Sequence, residues 1–441
     1  MASPRLTYRQ ILTFWLPLAG TWLMMAVEGP YLAALIARLP QPAENLAAFG
    51  VTFAFALIIE SPVIMLMSAS TALVKDHETY LAFRRFAYGL SAILTIVLLL
   101  LVLPPIFQLV SFNLLKLPKD VGTLTHGGLV LLLPWPAAIG YRRFQQGLLI
   151  RYNLTRRVAY GTILRLIAMT LTAMTAAQIF KLGGIYVATV ALSAGVLVEA
   201  LASRLMSRSV VRQLAKTEHV GTGHDELTLA KILAFYVPLA LTSFLAMAVQ
   251  PLTTFFMAQS RLALESLAAL PVIHGLTFIF RSLGLSYQEV GIAMLGDNRE
   301  HYKPLRNFSF VLALFTSTTL GIIAFSRLST LWFHEVSNLS IELTHMSFLP
   351  TQIFTLLPAL TVLLSFQRSL LVHSRDTAPI TQATTIEVVC VFGILTIGIH
   401  GLDLPGVVAA ALATVLGRVL SNLWLIRPCQ KALQPRLNEL A

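Results

Sequence analysis

Long apolar stretches separated by short polar ones run along the whole 441-residue chain. They lack the two-residue alternation of strands. Runs of 20 or more apolar residues are long enough for a helix to cross a hydrocarbon core of about 30 Å. The pattern predicts twelve spans, at 11–37, 46–74, 86–110, 126–148, 158–180, 184–203, 232–258, 267–294, 308–331, 346–372, 378–400 and 405–426. Membrane barrels are built instead from short alternating segments. The expected fold class is therefore an all-α polytopic membrane protein. The first span follows directly on "MASPRLTYRQ". It is too long for the core of a signal peptide and has no convincing cleavage site, so it is expected to stay in the protein.

The chain also repeats itself. "ILTFWLPLA" at 11–19 returns as "ILAFYVPLA" at 232–240, and at this offset of 221 fourteen of residues 11–51 are identical. "FQQGLLI" at 144–150 returns as "FQRSLLV" at 366–372, an offset of 222. A six-span unit has been duplicated. Six is even, so both copies start on the same side of the membrane. Parallel repeats of this kind place substrate sites at their interface near mid-membrane. The expected organisation is an N-terminal lobe at 1–208, a polar cytoplasmic linker at 209–230 and a C-terminal lobe at 231–441.

Proline sits inside the first span of each half, Pro30 matching Pro251. Proline removes a backbone hydrogen bond and clashes with the preceding turn. Lipid cannot satisfy the freed carbonyl, so the break should face protein or a water-filled cavity. The pair reads as a duplicated hinge, against the simpler reading of a packing kink. Twelve helices in two parallel bundles, a proline-broken first helix in each and the basic segment "RRFQQGLLIRYNLTRR" after the fourth span resemble the multidrug and toxin extrusion (MATE) proteins of the MOP flippase superfamily. Within it, "FYVPLALTSFLAMAVQPLTTFFMAQSR" followed by "LPVIHG" is similar to the progressive ankylosis protein family. The resemblance implies a transporter fold and, from MATE proteins, export coupled to protons or sodium through intramembrane carboxylates.

Basic residues orient the chain. With the N-terminus in the cytoplasm, inside segments carry 23 Lys and Arg and outside loops only Arg38, Lys116, Lys119, Lys181 and Arg261. That is a strong positive-inside bias. The expected location is the plasma (inner) membrane, multi-pass, with both termini cytoplasmic. The net charge of +12 is then mostly a topology signal, and nucleic acid is not an expected partner. The segment 142–157 reads mainly as a topology determinant and lipid-headgroup anchor. Cys390 and Cys429 are the only cysteines, too few for a disulfide framework or a zinc site. "HEVSN" at 334–338 lacks the second His of a metalloprotease helix.

Ionisable residues inside a span cost about 2.5–3.5 kcal/mol each on insertion scales and usually face a cavity or a partner. Here they are Glu28, Glu60, Arg165, Arg281 and Glu387, with Glu199 and Arg418 nearer the cytoplasmic end. The repeat maps Glu60 onto Arg281 and Arg165 onto Glu387, so equivalent positions carry opposite charges. Glu60 and Arg281 are candidates to pair across a cleft, leaving Arg281 free for an anionic substrate in another state. Arg165 and Glu387 read as a cytoplasmic-side latch or as plain structural pairs. Glu28 has no charged counterpart and no basic residue within local reach. Its charge is expected to be neutralised by a proton, a cation or the substrate, which makes it the coupling-ion candidate; a substrate contact and a hydrogen-bonded structural acid are the alternatives. His274 is a packing histidine or a titrating switch, and Gln250 satisfies the broken backbone or binds substrate.

The function expected is secondary active export of a small organic solute, leaning anionic, by alternating access. The alternatives are MATE-type efflux of organic cations and flipping of a lipid-linked precursor. No continuous polar stripe suggests a channel, and no nucleophile–base or metal constellation suggests an enzyme. No phosphate loop of the G-x-x-x-x-G-K-[ST] type is present. No cofactor beyond a coupling proton or sodium ion is expected, and the chain is expected to act as a monomer among membrane lipids.

Overall fold

In a computed structural model of the chain, residues 6–115, 117–216, 227–257, 259–296, 299–337 and 339–434 are described. Twelve helical spans account for most of them. They are α1 (Tyr8–Ile36), α2 (Pro42–Glu60 and Leu66–Leu73), α3 (His77–Leu101), α4 (Lys119–Leu131 and Trp135–Arg151), α5 (Thr155–Gln178) and α6 (Gly184–Lys216). The second half follows with α7 (Leu229–Met257), α8 (Ala263–Leu285 and Tyr287–Met294), α9 (Tyr302–Ala324), α10 (Ile341–Phe354 and Leu357–His373), α11 (Ala378–Thr396) and α12 (Gly406–Leu433). Among the described residues eleven helices are long and apolar enough to cross a membrane. The fourth span is absent from these eleven: it is interrupted at 132–134, and its second segment carries Arg142, Arg143, Gln145 and Gln146. Among the described residues there is no strand, only an isolated bridge between Arg261 and Pro405.

Local chemistry starts these helices. Asp76 accepts from the Thr79 backbone N–H at 2.9 Å while Thr79 Oγ1 accepts from the Asp76 N–H at 3.0 Å, a reciprocal cap for α3. Pro42 supplies the pre-set φ of a first helical turn to α2.

The duplication reaches into the irregular backbone. Among the described residues seven non-glycine residues have positive φ, and six form pairs at the repeat offset: Gln41 with Leu262, Asn153 with Arg375, Lys181 with Asp403. One-turn π-helices at Leu109–Leu114 and Leu331–Val336 are also 222 apart. Interruptions fall within α2 and α8 and within α4 and α10.

The compact units are drawn differently from the expected lobes. One contains Met24–Ser243, the other Met1–Leu23 together with Phe244–Ala441. The boundaries lie inside α1 and α7, within a residue of equivalence by the repeat. Reciprocal contacts hold each crossing half-helix. In the unit containing Met1–Leu23, Trp15 Nε1 donates to Ser286 Oγ at 2.8 Å and to the Leu283 carbonyl at 3.3 Å, with its ring 6.0 Å from Phe308. In the other unit, Tyr236 donates to the Pro62 carbonyl at 2.5 Å and its ring lies 5.0 Å from Phe86. Trp15 and Tyr236, Pro62 and Leu283, and Phe86 and Phe308 are repeat equivalents.

α1 continues as one helix through Glu28, Gly29 and Pro30, and Pro30 is exposed. The proline therefore does not end the helix, because the rest of the span keeps its hydrogen-bond ladder on both sides. The linker assigned to 209–230 begins as helix: α6 runs on to Lys216. At 33 residues and about 1.5 Å per residue, α6 is far longer than the hydrocarbon core, so it projects beyond the membrane. Residues 217–226 of that linker lie outside the described residues.

Candidate functional site

The unit Met24–Ser243 buries a connected set of charges. Glu199 on α6 is fully buried and accepts from four side chains. Arg142 Nη1 donates to its Oε2, Gln146 Nε2 to Oε1 at 3.0 Å, Thr162 Oγ1 to Oε1 at 3.1 Å, and Arg165 Nη1 to Oε2 at 3.5 Å. Arg165 reaches the other way to Glu28 on α1, its Nη2 lying 2.5 Å from Oε2. One guanidinium thus serves two carboxylates on two different helices. Its planar fork of donors allows this where a lysine would offer a single point of charge.

Trp135, the first residue after the interruption in α4, extends the set. Its ring lies 5.7 Å from the Arg165 guanidinium carbon, and its indole N–H donates to Glu60 Oε2 at 3.0 Å. Arg143 completes the charge balance. It is buried, donates to Met67 Sδ at 3.8 Å, and feels Glu60 and Glu199 electrostatically. Three carboxylates and three guanidiniums therefore share one interior. Glu28 Oε1 is buried and has no hydrogen-bond partner.

The interruption at 132–134 is what brings α4 into this cluster. A polar second segment could not face lipid without paying for two arginines and two glutamines. It is buried instead, with Arg142 1% and Arg143 5% exposed. This corrects the reading of 142–157 as a headgroup anchor, at least for its first two arginines. They belong to the interior and leave the topology tally, which remains strongly biased without them.

The unit Met1–Leu23 with Phe244–Ala441 repeats the plan with the polarity reversed. Glu387 on α11 accepts from Arg418 on α12, from Nη2 at 2.7 Å and Nε at 2.9 Å. This is the same helix pair as Arg165–Glu199, with acid and base exchanged. Arg418 Nη1 also approaches Thr361 Oγ1 at 3.5 Å, and Arg368 donates to Thr384 Oγ1 at 3.0 Å. Arg281 on α8 is half-buried, within electrostatic reach of Glu387 and Arg418, and its Nε has no hydrogen-bond partner.

The predicted site residues thus sort as follows. Glu28 and Arg165, assigned to separate roles, are one ion pair; the premise that no basic residue reaches Glu28 fails because the partner comes from a helix 137 residues away in sequence. Arg165 and Glu387 each find partners inside their own unit, as plain structural pairing would have it. Glu60 is tied to Trp135, and Arg281 lies in the other unit. His274 packs its ring 5.5 Å from Phe354 and is half-buried. Gln250 and Pro251 fall within α7, with side chains outside the described residues. Sequence reasoning missed Trp135, Gln146, Thr162 and Arg368. The repeat held a signal: Gln146 aligns with Arg368 and Thr162 with Thr384.

No protein-family model matches the chain, and no curated protein matches it in sequence. Solved structures match it over nearly its full length. A Vibrio cholerae MATE transporter superposes with a TM-score of 0.78 at 15% identity, covering 96% of each chain. A MOP superfamily transporter from Pyrococcus furiosus, described by the reversed polarity of its binding pocket, gives 0.72 at 14% identity over 97% of each chain. A eukaryotic MATE transporter gives 0.73 at 12% identity, covering 96% of this chain and 98% of that one. The chain therefore has the fold of the MATE transporters of the MOP superfamily.

Proposed function

We propose that the protein is a secondary active transporter that exports a small organic solute by alternating access, with Glu28 as the coupling group. The observation that carries this reading is the near-complete match to MATE transporters, together with charges buried on the helices those folds share. A carboxylate paired with arginine resists protonation; one that loses its partner inside a membrane does not. Arg165 is divided between Glu28 and Glu199 and can lean fully on Glu199. Glu28 then takes up a proton or binds sodium as α1 moves, and returns to Arg165 when it discharges. The unpartnered Oε1 of Glu28 offers the position for the incoming ion.

The solute is an anion in this reading, because among the described residues Arg281, Arg368 and Arg418 outnumber the carboxylate that acts on them, Glu387. A second reading, efflux of organic cations, draws on the multidrug resistance MATE transporter among the structural matches and on Glu28 and Glu60. Uptake of labelled solutes into inverted vesicles under imposed proton or sodium gradients decides between them. Gradient-driven accumulation of anions supports the first reading, accumulation of cations the second. No gradient-dependent accumulation of either would overturn both.

A further inference from the structure

α6 runs for 33 residues, Gly184–Lys216, of which a hydrocarbon core of about 30 Å takes about 20. Counted from Gly184, the stretch from Arg204 onward lies beyond the core. One sector of the helix changes character there. Leu197, Leu201 and Leu205 are exposed, on the face that a spanning helix turns to lipid. Arg204, Arg208, Arg212 and Lys216 then follow at four-residue steps, all exposed. At 3.6 residues per turn they fall within about 60° either side of Leu201. The opposite face stays packed throughout, Val210 and Leu214 being buried, so the basic row sits on a helix fixed from behind.

Arg157 marks the depth. Its Nη1 donates to the Met206 carbonyl at 2.6 Å and to Ser209 Oγ at 3.0 Å, so the first turn of α5 lies beside residues 206–209 of α6. Exposed Arg156 belongs to that turn. One turn further along α5, Tyr160 is exposed, a polar-tipped ring of the kind that settles at headgroup level.

Two simpler accounts of the row fall short. The helix dipole favours cations only within the last turn, and Arg204 and Arg208 stand about three and two turns before the end. Ion pairing does not hold them either. Among the described residues none of the four side chains has an ion pair or a hydrogen bond. The one acid of α6, Glu199, is buried and engaged by Arg142 and Arg165.

We propose that Arg204, Arg208, Arg212 and Lys216, with Arg156 at the same depth, bind anionic phospholipid headgroups in the leaflet where α6 ends. Guanidinium forks match phosphate oxygens, and clustered basic residues next to a spanning helix attract anionic lipid. The leucines that continue the row into the core select a lipid over a free phosphate, because they cover its acyl chains. What the protein transports has no part in this inference.

The test is native mass spectrometry of the purified full-length protein in detergent, titrated with dioleoyl phosphatidylglycerol or dioleoyl phosphatidylcholine. The first phosphatidylglycerol should bind at least about tenfold more tightly than the first phosphatidylcholine, as two or more basic contacts imply. Replacing Arg208, Arg212 and Lys216 together by Gln should remove most of that preference. Replacing the exposed Arg85, Lys303 and Arg306 by Gln deletes the same charge elsewhere and should leave it intact. Replacing Arg204, Arg208 and Arg212 by Lys keeps the charge and should keep the preference. No preference in the wild type, or equal loss in the two Gln triples, would overturn the proposal. A preference that appears only after Glu218→Gln, Asp225→Gln and Glu226→Gln would overturn it too, by giving the row to the acids of the linker. Where the Gln triple at 208, 212 and 216 does not fold, Arg208→Glu alone replaces it, and an unchanged preference there counts equally against the proposal.

Discussion

Arg165 Nη2 lies 2.5 Å from Glu28 Oε2, and the same guanidinium reaches Glu199 at 3.5 Å. The intramembrane acid on α1 is thus held by a base that is itself shared. Removing one member of a buried pair strands the other, at a cost of about 3–5 kcal/mol. Arg165→Gln should destabilise the protein by that order, and adding Glu28→Gln should recover part of the loss. A double-mutant cycle on thermal unfolding in detergent reads the coupling. Purely additive losses would show that the two side chains do not support one another.

Trp135 joins Glu60 to Arg165 through its two ends. Trp135→Phe keeps a ring beside Arg165 but removes the N–H that Glu60 Oε2 accepts. Leaving a buried acceptor without its donor costs about 1–3 kcal/mol. Trp135→Leu loses the ring as well and should cost about 0.5–2 kcal/mol more. Equal stability of the Phe and Leu variants would remove the ring from the account.

A steric exchange accompanies the exchange of charges. A Cβ on Gly147 of α4 would meet Met67 O at 2.5 Å and Ser70 Cβ at 2.6 Å. In the other half the serine is Ser369 on α10, and the glycine is Gly291 on α8, whose Cβ would meet Ser369 Oγ at 2.1 Å. By the repeat Ser70 matches Gly291 and Gly147 matches Ser369, so each crossing has one serine and one glycine on opposite helices. Gly147→Ser alone should overpack the crossing and cost about 1–3 kcal/mol. Combining it with Ser70→Gly removes the clash with the serine but leaves the one with the Met67 carbonyl, so it should restore only part of the stability. A double variant less stable than Gly147→Ser would show that the two crossings are not interchangeable.

These exchanges mark how far the sequence could be read. The spans and the six-span duplication follow from apolar run lengths and from matches such as Phe14 with Phe235 and Pro17 with Pro238, and the MATE-like fold from the family resemblance of the proline-containing first helices and the basic segment after the fourth span. The opposition of Glu60 to Arg281 and of Arg165 to Glu387 was visible in the same alignment. Their partners were not, because Arg165 and Glu28 stand on helices 137 residues apart in sequence, and no local pattern encodes which side chains such helices bring together. Arg142 and Arg143 looked like interfacial residues, since their segment is polar and the interruption before it is marked by little more than Pro134 and Pro136. The passage of Tyr8–Leu23 into the other unit was hidden because α1 has no change of composition at Leu23. The pairing of Trp15 with Tyr236 held the clue, two polar-tipped aromatic residues at equivalent places in otherwise apolar helices.

Glu28 is the group proposed to tie an ion gradient to solute movement, and gradient-driven accumulation by reconstituted protein tests that directly. Wild-type protein in liposomes should accumulate its solute under an imposed proton or sodium gradient. Glu28→Gln, which mimics the protonated acid, should abolish accumulation while leaving downhill exchange, and Glu28→Asp should retain some accumulation. Accumulation by Glu28→Gln at the wild-type level would contradict the account, making the Glu28–Arg165 pair structural and placing the coupling group elsewhere.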